Sequence, residues 1–211
     1  MARAKKGTEG FRGKIGNTVI YDLKGQLVKR LIGVNLNEPT DKQMVGRQRT
    51  SLVTALLRPV KEFIRIGFDV ETRNTLLSPY NKATSVNRFN AVKGVYPDQQ
   101  IDFSKVEFSR GNMMVDPEIG VRIIETGLEF YWNKDFAARG IKWNDGVMVM
   151  AYIPEKRDAY FQINGARRNE GVEKLVLPRF NETVRIETYV NFISADHQSI
   201  SNCTYTGQVM W

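Results

Sequence analysis

From Ile101 to Trp211 the chain is written in short β-forming runs, and this texture limits its possible folds more than any other feature. The runs are "IDFSKVEFS", "VRIIETGLEFYW", "DGVMVMAYIP", "DAYFQI", "VEKLVLP", "ETVRIETYVNFIS" and "SNCTYTGQVMW". Each is rich in branched and aromatic residues, and Gly, Asn, Asp and Pro separate them. "VRIETYVNF" alternates cleanly, with Val184, Ile186, Thr188, Val190 and Phe192 on one side and Arg185, Glu187, Tyr189 and Asn191 on the other. About seven strands in about 110 residues is the count of an immunoglobulin-like antiparallel β sandwich. No Cys…Trp…Cys pattern is present, which excludes an antibody-type domain, and the scarcity of helical periodicity disfavours parallel α/β architectures.

The preceding residues read differently. "NTVIYDL" and "QLVKRLI" flank "KG", a two-residue turn in which Gly25 supplies positive φ, and so predict a β-hairpin. A lone hairpin is marginal in water and must rest on the body or on a partner. Thr40 and Gln43 form a capping box ahead of apolar residues at helical spacing from Val45 to Ile64, with Gly67 as a C-terminal stop. Pro59 lies inside this pattern, predicting a kink or a break near Arg58. A short helix is expected over 83–92, between the turn-rich "LSPYNKA" and "GVYPDQQ". The expected organisation is a basic hairpin arm and helical segment over 1–68, a connecting region over 69–100, and the immunoglobulin-like sandwich over 101–211. The fold class is mainly β with an N-terminal α segment.

Charge sharpens the division. The net charge is +8, yet residues 1–68 hold 14 Lys/Arg against 5 Asp/Glu, while residues 69–211 hold 17 against 18. A basic arm on a neutral body suits a polyanionic partner. The residues expected to contact nucleic acid or a partner are Arg3, Lys5, Lys6, Arg12, Lys14, Lys29 and Arg30. Arg47, Arg58, Lys61 and Arg65 join them, falling within about 60° of one another on a helix wheel. "GFRGKIG" lacks both the spacing and the flanks of a phosphate-binding loop. Aromatics such as Phe130, Tyr131, Trp132 and Trp143 lie in the neutral part, away from the basic arm, which counts against a stacking reader of single strands.

Little points to catalysis. His197, the one histidine, stands in the loop-like "SADHQSIS", too close in sequence to Asp196 and Ser199 to converge with them around a substrate. Cys203, the one cysteine, reads as a small buried residue and rules out an internal disulfide. Glu125, Glu129, Glu173 and Glu187 fall on predicted strands, where alternate positions face solvent, so a paired-carboxylate hydrolase is not the expected reading. No metal site and no cofactor is expected. No apolar run approaches the roughly 18 residues that span a bilayer, and "MARAKKGTEG" has no apolar segment behind it, so membrane insertion is not expected. A cytoplasmic protein, or one built into a particle assembled there, is the expected setting.

"GKIGNTVIY", "TDKQMVGRQR" leading to "IGF", and "SNCTYTG" together resemble a family of proteins of about this length, frequent in Bacteroidota and classed as a domain of unknown function. The likeness runs in order over nearly the whole chain. Cys203 stands where the family leads one to expect a serine or similar small residue, which argues against a catalytic cysteine. The resemblance implies the order of parts and no activity. The expected function is a non-enzymatic structural or assembly subunit of a multi-copy, phage-like particle, self-associating or binding a neighbouring subunit through its basic arm, which also meets DNA or RNA backbone. The alternative is a cytoplasmic, sequence-nonspecific nucleic-acid-binding protein.

Overall fold

Two tight turns fold the first described stretch into a small sheet. The computed structural model describes residues 12–34 and 36–211. Strands β1 (Gly13–Ile15), β2 (Thr18–Leu23) and β3 (Gln26–Leu31) pair antiparallel in that order. Lys24 and Gly25 have φ values of 50° and 85°, the double positive φ of a type I′ hairpin turn, and the Asp22 carboxylate accepts from the Gly25 N–H at 2.8 Å. Gly13–Ile15 thus adds a third strand to the two of the expected hairpin. Contacts divide the chain into two compact units, residues 1–40 and 41–211, so the helical segment belongs with the β-rich half.

The second unit begins with α1 (Asp41–Leu57), a break, and α2 (Lys61–Gly67). Pro59 has no N–H to donate, and across the break Val60 N–H reaches the Leu57 carbonyl at 3.3 Å in a tighter turn. Pro59 therefore breaks the helix. Gly67 does not stop α2 by a left-handed cap. A Cβ there would meet the Phe108 carbonyl oxygen at 2.2 Å, so glycine serves close backbone approach. After α3 (Asp69–Thr72), α4 spans Pro79–Asn90, opened by Ser78 accepting from Asn81 N–H at 3.2 Å with proline in the first turn. The "LSPYNKA" stretch read as punctuation is this helix start.

Short β4 (Val92–Lys93) and β5 (Gln100–Ile101) pair next. "IDFSKVEFS" is not the strand its alternation predicts: past β5 it forms a 3-10 turn at Phe103–Lys105 and then irregular chain. Its apolar residues are spent on insertion, with Val106 and Phe108 buried in the core. Seven strands follow: β6 (Gly120–Ile124), β7 (Gly127–Tyr131), β8 (Gly146–Ile153), β9 (Asp158–Gln162), β10 (Val172–Val176), β11 (Arg185–Ile193) and β12 (Thr204–Met210). They form a three-stranded sheet β10-β7-β6 and a four-stranded sheet β12-β11-β8-β9, both antiparallel. "VRIIETGLEFYW" supplies two of these strands, replacing the one lost at "IDFSKVEFS".

The four-stranded sheet is covered on both faces. Met148, Met150, Tyr152 and Tyr189 share a core with Val53, Leu57, Phe63, Ile64, Ala83 and Val86 of the helices. Val147, Val149, Ala151, Ile186, Val190 and Phe192 share another with Leu128, Phe130 and Leu175 of β7 and β10. Each such fully buried large apolar side chain contributes about 1.5–3 kcal/mol. The double burial explains why "VMVMAYI" is apolar at every position. It also moves the polar side of "VRIETYVNF" inward, where Glu187, Tyr189 and Asn191 are buried and not solvated.

Candidate functional site

Strand register separates the basic residues of the N-terminal sheet. Lys14 and Arg30 share a face across Val19, while Lys29 lies on the opposite face with Ile15, Ile20, Leu27 and Leu31. The Arg30 guanidinium sits 5.9 Å from the centre of the Tyr21 ring, and Arg12 pairs with Asp22 at 2.9 Å. Arg3, Lys5 and Lys6 lie outside the described residues. Adjacent residues on a strand point to opposite faces, so the predicted hairpin already separates Lys29 from Arg30, and the register adds that Lys14 joins Arg30.

The helical quartet is divided as well. Arg47 and Arg58 line one shallow groove along the outer face of α1, joined by Arg88 from α4. Its floor is small and hydroxylated: Gly46, Thr50, Ser51, Thr54 and Ala55. Arg58 and Ala55 also border an adjoining depression with Pro59 and Arg157, the last from the turn between β8 and β9. Lys61 and Arg65 belong elsewhere. Lys61 Nζ stands 6.0 Å from the centre of the Tyr80 ring, and Arg65 pairs with Glu62 at 3.0 Å. The break at Pro59 thus keeps Arg47 with Arg58 and removes the two basic residues of α2 from the stripe of four. Arg88 and Arg157 were missed because nothing local in sequence ties them to α1.

A second cluster escaped the sequence altogether. Arg168 and Asp145 are both fully buried, with Nε 3.4 Å from Oδ2. The guanidinium carbon lies 3.8 Å from the centre of the Phe192 ring, and the Arg168 carbonyl accepts from the Trp132 indole N–H at 2.7 Å. Burial pulls the Arg168 pKa down, opposed by the charges of Asp145 and Asp116. Asp145 also accepts from the Lys142 N–H at 2.8 Å, so this pair ties the loop before β8 to the chain before β10.

The residues weighed for catalysis are occupied separately. Glu129, between Arg122 and Lys174 on the outer face of the three-stranded sheet, accepts from Arg122 Nε at 2.6 Å. Glu173 accepts from the Ala166 N–H, Glu187 accepts from the Tyr205 hydroxyl at 2.7 Å, and Glu125 is exposed at the β6–β7 turn. Ser194 Oγ donates to Asp196 at 2.6 Å and accepts from the Ser199 N–H at 2.9 Å, the bonds of a closed turn rather than of a triad around His197. His197 itself holds the turn with a φ of 55°. Burial pushes the Cys203 thiol up to about 12, although the residue is only half-buried by surface area, so the thiolate needed of a nucleophile is disfavoured.

Among the described residues no helix is long and apolar enough to cross a membrane. The N-terminal sheet, with Ile15, Leu27 and Leu31 exposed, and the arginine groove are two surfaces open to a partner. Neither the curated proteins nor the solved structures give a match to the chain. The family of unknown function DUF6266 matches residues 10–207, a span that takes in the whole N-terminal sheet and most of the last strand, and the chain belongs to that family.

Proposed function

We propose that this chain is a non-enzymatic assembly subunit of a multi-copy, phage-like particle, docking through its N-terminal sheet onto a neighbouring subunit. The observation that carries this reading is the sheet's exposure. No described residue of 12–40 is buried, and Ile15, Leu27 and Leu31 are 54%, 53% and 72% exposed on one face. A three-stranded sheet with apolar residues uncovered and two open edges is completed by strand addition or by a covering surface. We further read β6 to β12 as an immunoglobulin-like sandwich. In support, the first, second and fifth of the seven strands pair in one sheet, and the third, fourth, sixth and seventh in the other. Compared with an antibody constant domain, the fourth strand has moved beside the third. Such a body offers a rigid unit from which an arm can reach.

Light scattering of the nuclease-treated full chain at low and high salt tests the assembly reading. Oligomers are expected that vanish when residues 1–33 are removed, while the circular dichroism melting curve of the remaining body is retained. A full-length chain that stays monomeric at every concentration and salt would overturn it.

A further inference from the structure

The groove on α1 gathers arginines without carboxylate partners. Arg65, Arg73, Arg110 and Arg185 each hold a carboxylate oxygen at 2.7–3.1 Å. Among the described residues, Arg47, Arg58, Arg88 and Arg157 form no ion pair, although Arg58 and its neighbours bring all four to one surface. Arg88 leans toward α1, its Nη2 3.9 Å from where a Cβ on Gly46 would stand, and its Nε is buried without a hydrogen-bond partner. Four guanidinium groups gathered without a counter-charge repel one another and favour an anion that bridges them.

The shape of the groove selects among anions. Arg47 and Arg58 are eleven residues apart on nearly the same helical azimuth, which places them about 16 Å apart along the axis. A single phosphate or carboxylate would need both side chains stretched toward one point, so an extended polyanion suits the groove better. The lining is free of carboxylates, with donors from the arginines, Ser51 and Thr54. Its lining has no strand edge to pair with a peptide and no aromatic ring to stack a base. Backbone phosphates need only the donors that are present. We infer that the outer face of α1, with Arg47, Arg58, Arg88 and Arg157, is a sequence-independent binding surface for the phosphate backbone of nucleic acid. This surface is built on α1, α4 and the β8–β9 turn and does not rest on the assembly reading of the N-terminal sheet.

Fluorescence anisotropy of the full chain with a labelled mixed-sequence DNA duplex, over a salt series, tests the inference. The Arg47→Glu, Arg58→Glu double variant is expected to lose at least about tenfold in affinity at low salt, with the salt slope reduced by about two. Arg88→Ala is expected to lower the slope by about one. Lys14→Ala with Arg30→Ala, on the N-terminal sheet, is expected to leave more affinity than the groove variant does. Because Arg47 and Arg58 are exposed, an unchanged melting curve is expected for the groove variant and separates lost binding from lost folding. The inference is overturned if the full chain does not bind the duplex at low salt, or if the groove variant binds it as the parent does. It is equally overturned if the loss follows the sheet variant, or if poly-glutamate of matched charge binds more tightly than DNA.

Discussion

Two of the molecule's antiparallel sheets, similar in size, stand in opposite circumstances. β1-β2-β3 has no buried residue among those described, while β8 and β11 of the four-stranded sheet are buried along nearly their whole length. Both use branched and aromatic residues, and both have short turns. The difference lies in what covers them. The four-stranded sheet is packed with helical side chains on one face and with β7 and β10 on the other, whereas Ile15, Leu27 and Leu31 remain exposed on the N-terminal sheet. Strand-forming sequence sets local geometry, and burial decides whether that geometry adds stability to the fold or is left for a partner.

Three ion pairs graded by burial put this contrast to measurement. Arg168 and Asp145 lie in the interior beside the four-stranded sheet, with side chains 2% and 0% exposed. Arg168→Met leaves an uncompensated buried carboxylate and is expected to cost about 3–5 kcal/mol in urea unfolding, with Asp145→Asn on the same background recovering part of the loss. A cost below about 1 kcal/mol would break the distinction between the two sheets, because the interior would then tolerate a lone charge as the surface does.

Arg110 and Glu107 are intermediate, at 2.8 Å with side chains 34% and 22% exposed. Burial works to raise the Glu107 pKa, but hydrogen bonds from Arg110 and Asn90 hold the carboxyl below its ordinary value. A carboxyl lowered by folding adds stability above its unfolded pKa, and that stability is lost as pH falls through the lowered folded value. Arg110→Met is therefore expected to cost about 1 kcal/mol near neutrality, after solvent screening, and progressively less in acid. Urea midpoints measured across the acid range check this; a cost that is independent of pH would assign the effect to packing of the arginine stem.

The smallest effect belongs to the N-terminal sheet, where Arg12 and Asp22 pair at 2.9 Å with side chains 41% and 33% exposed. Asp22→Ala is expected to change the melting of the 41–211 unit by less than about 0.5 kcal/mol. Leu27→Ser with Leu31→Ser is likewise expected to leave that melting unchanged while weakening oligomers in light scattering. A large loss of stability from either substitution would show that the sheet is part of the folded body's own core.

Several elements were legible because their causes are local. Pro59 breaks the helix where its missing donor falls, and "KG" turns the hairpin with positive φ. Ser78-Pro79 was legible too, since a capping serine before proline is a helix start, but the surrounding turn formers masked it. "IDFSKVEFS" misled because alternation records burial, not strand pairing: Val106 and Phe108 are buried from irregular chain. The continuous apolar run "VMVMAYI" carried the signal of a sheet covered on both faces, and with it the inward turn of Glu187 and Tyr189.

By itself the sequence determined the β-rich second half, the breaks and turns, the family, and the concentration of positive charge before residue 69. These follow from bonds and sterics between near neighbours, or from composition. Tertiary structure alone decided that Arg47 and Arg58 meet Arg88 and Arg157 while Lys61 and Arg65 do not, and that Arg168 is buried against Phe192 opposite Asp145. Those contacts join residues far apart in the chain. Their free energy comes from desolvation and charge in a specific packed arrangement, which no local pattern of residues encodes.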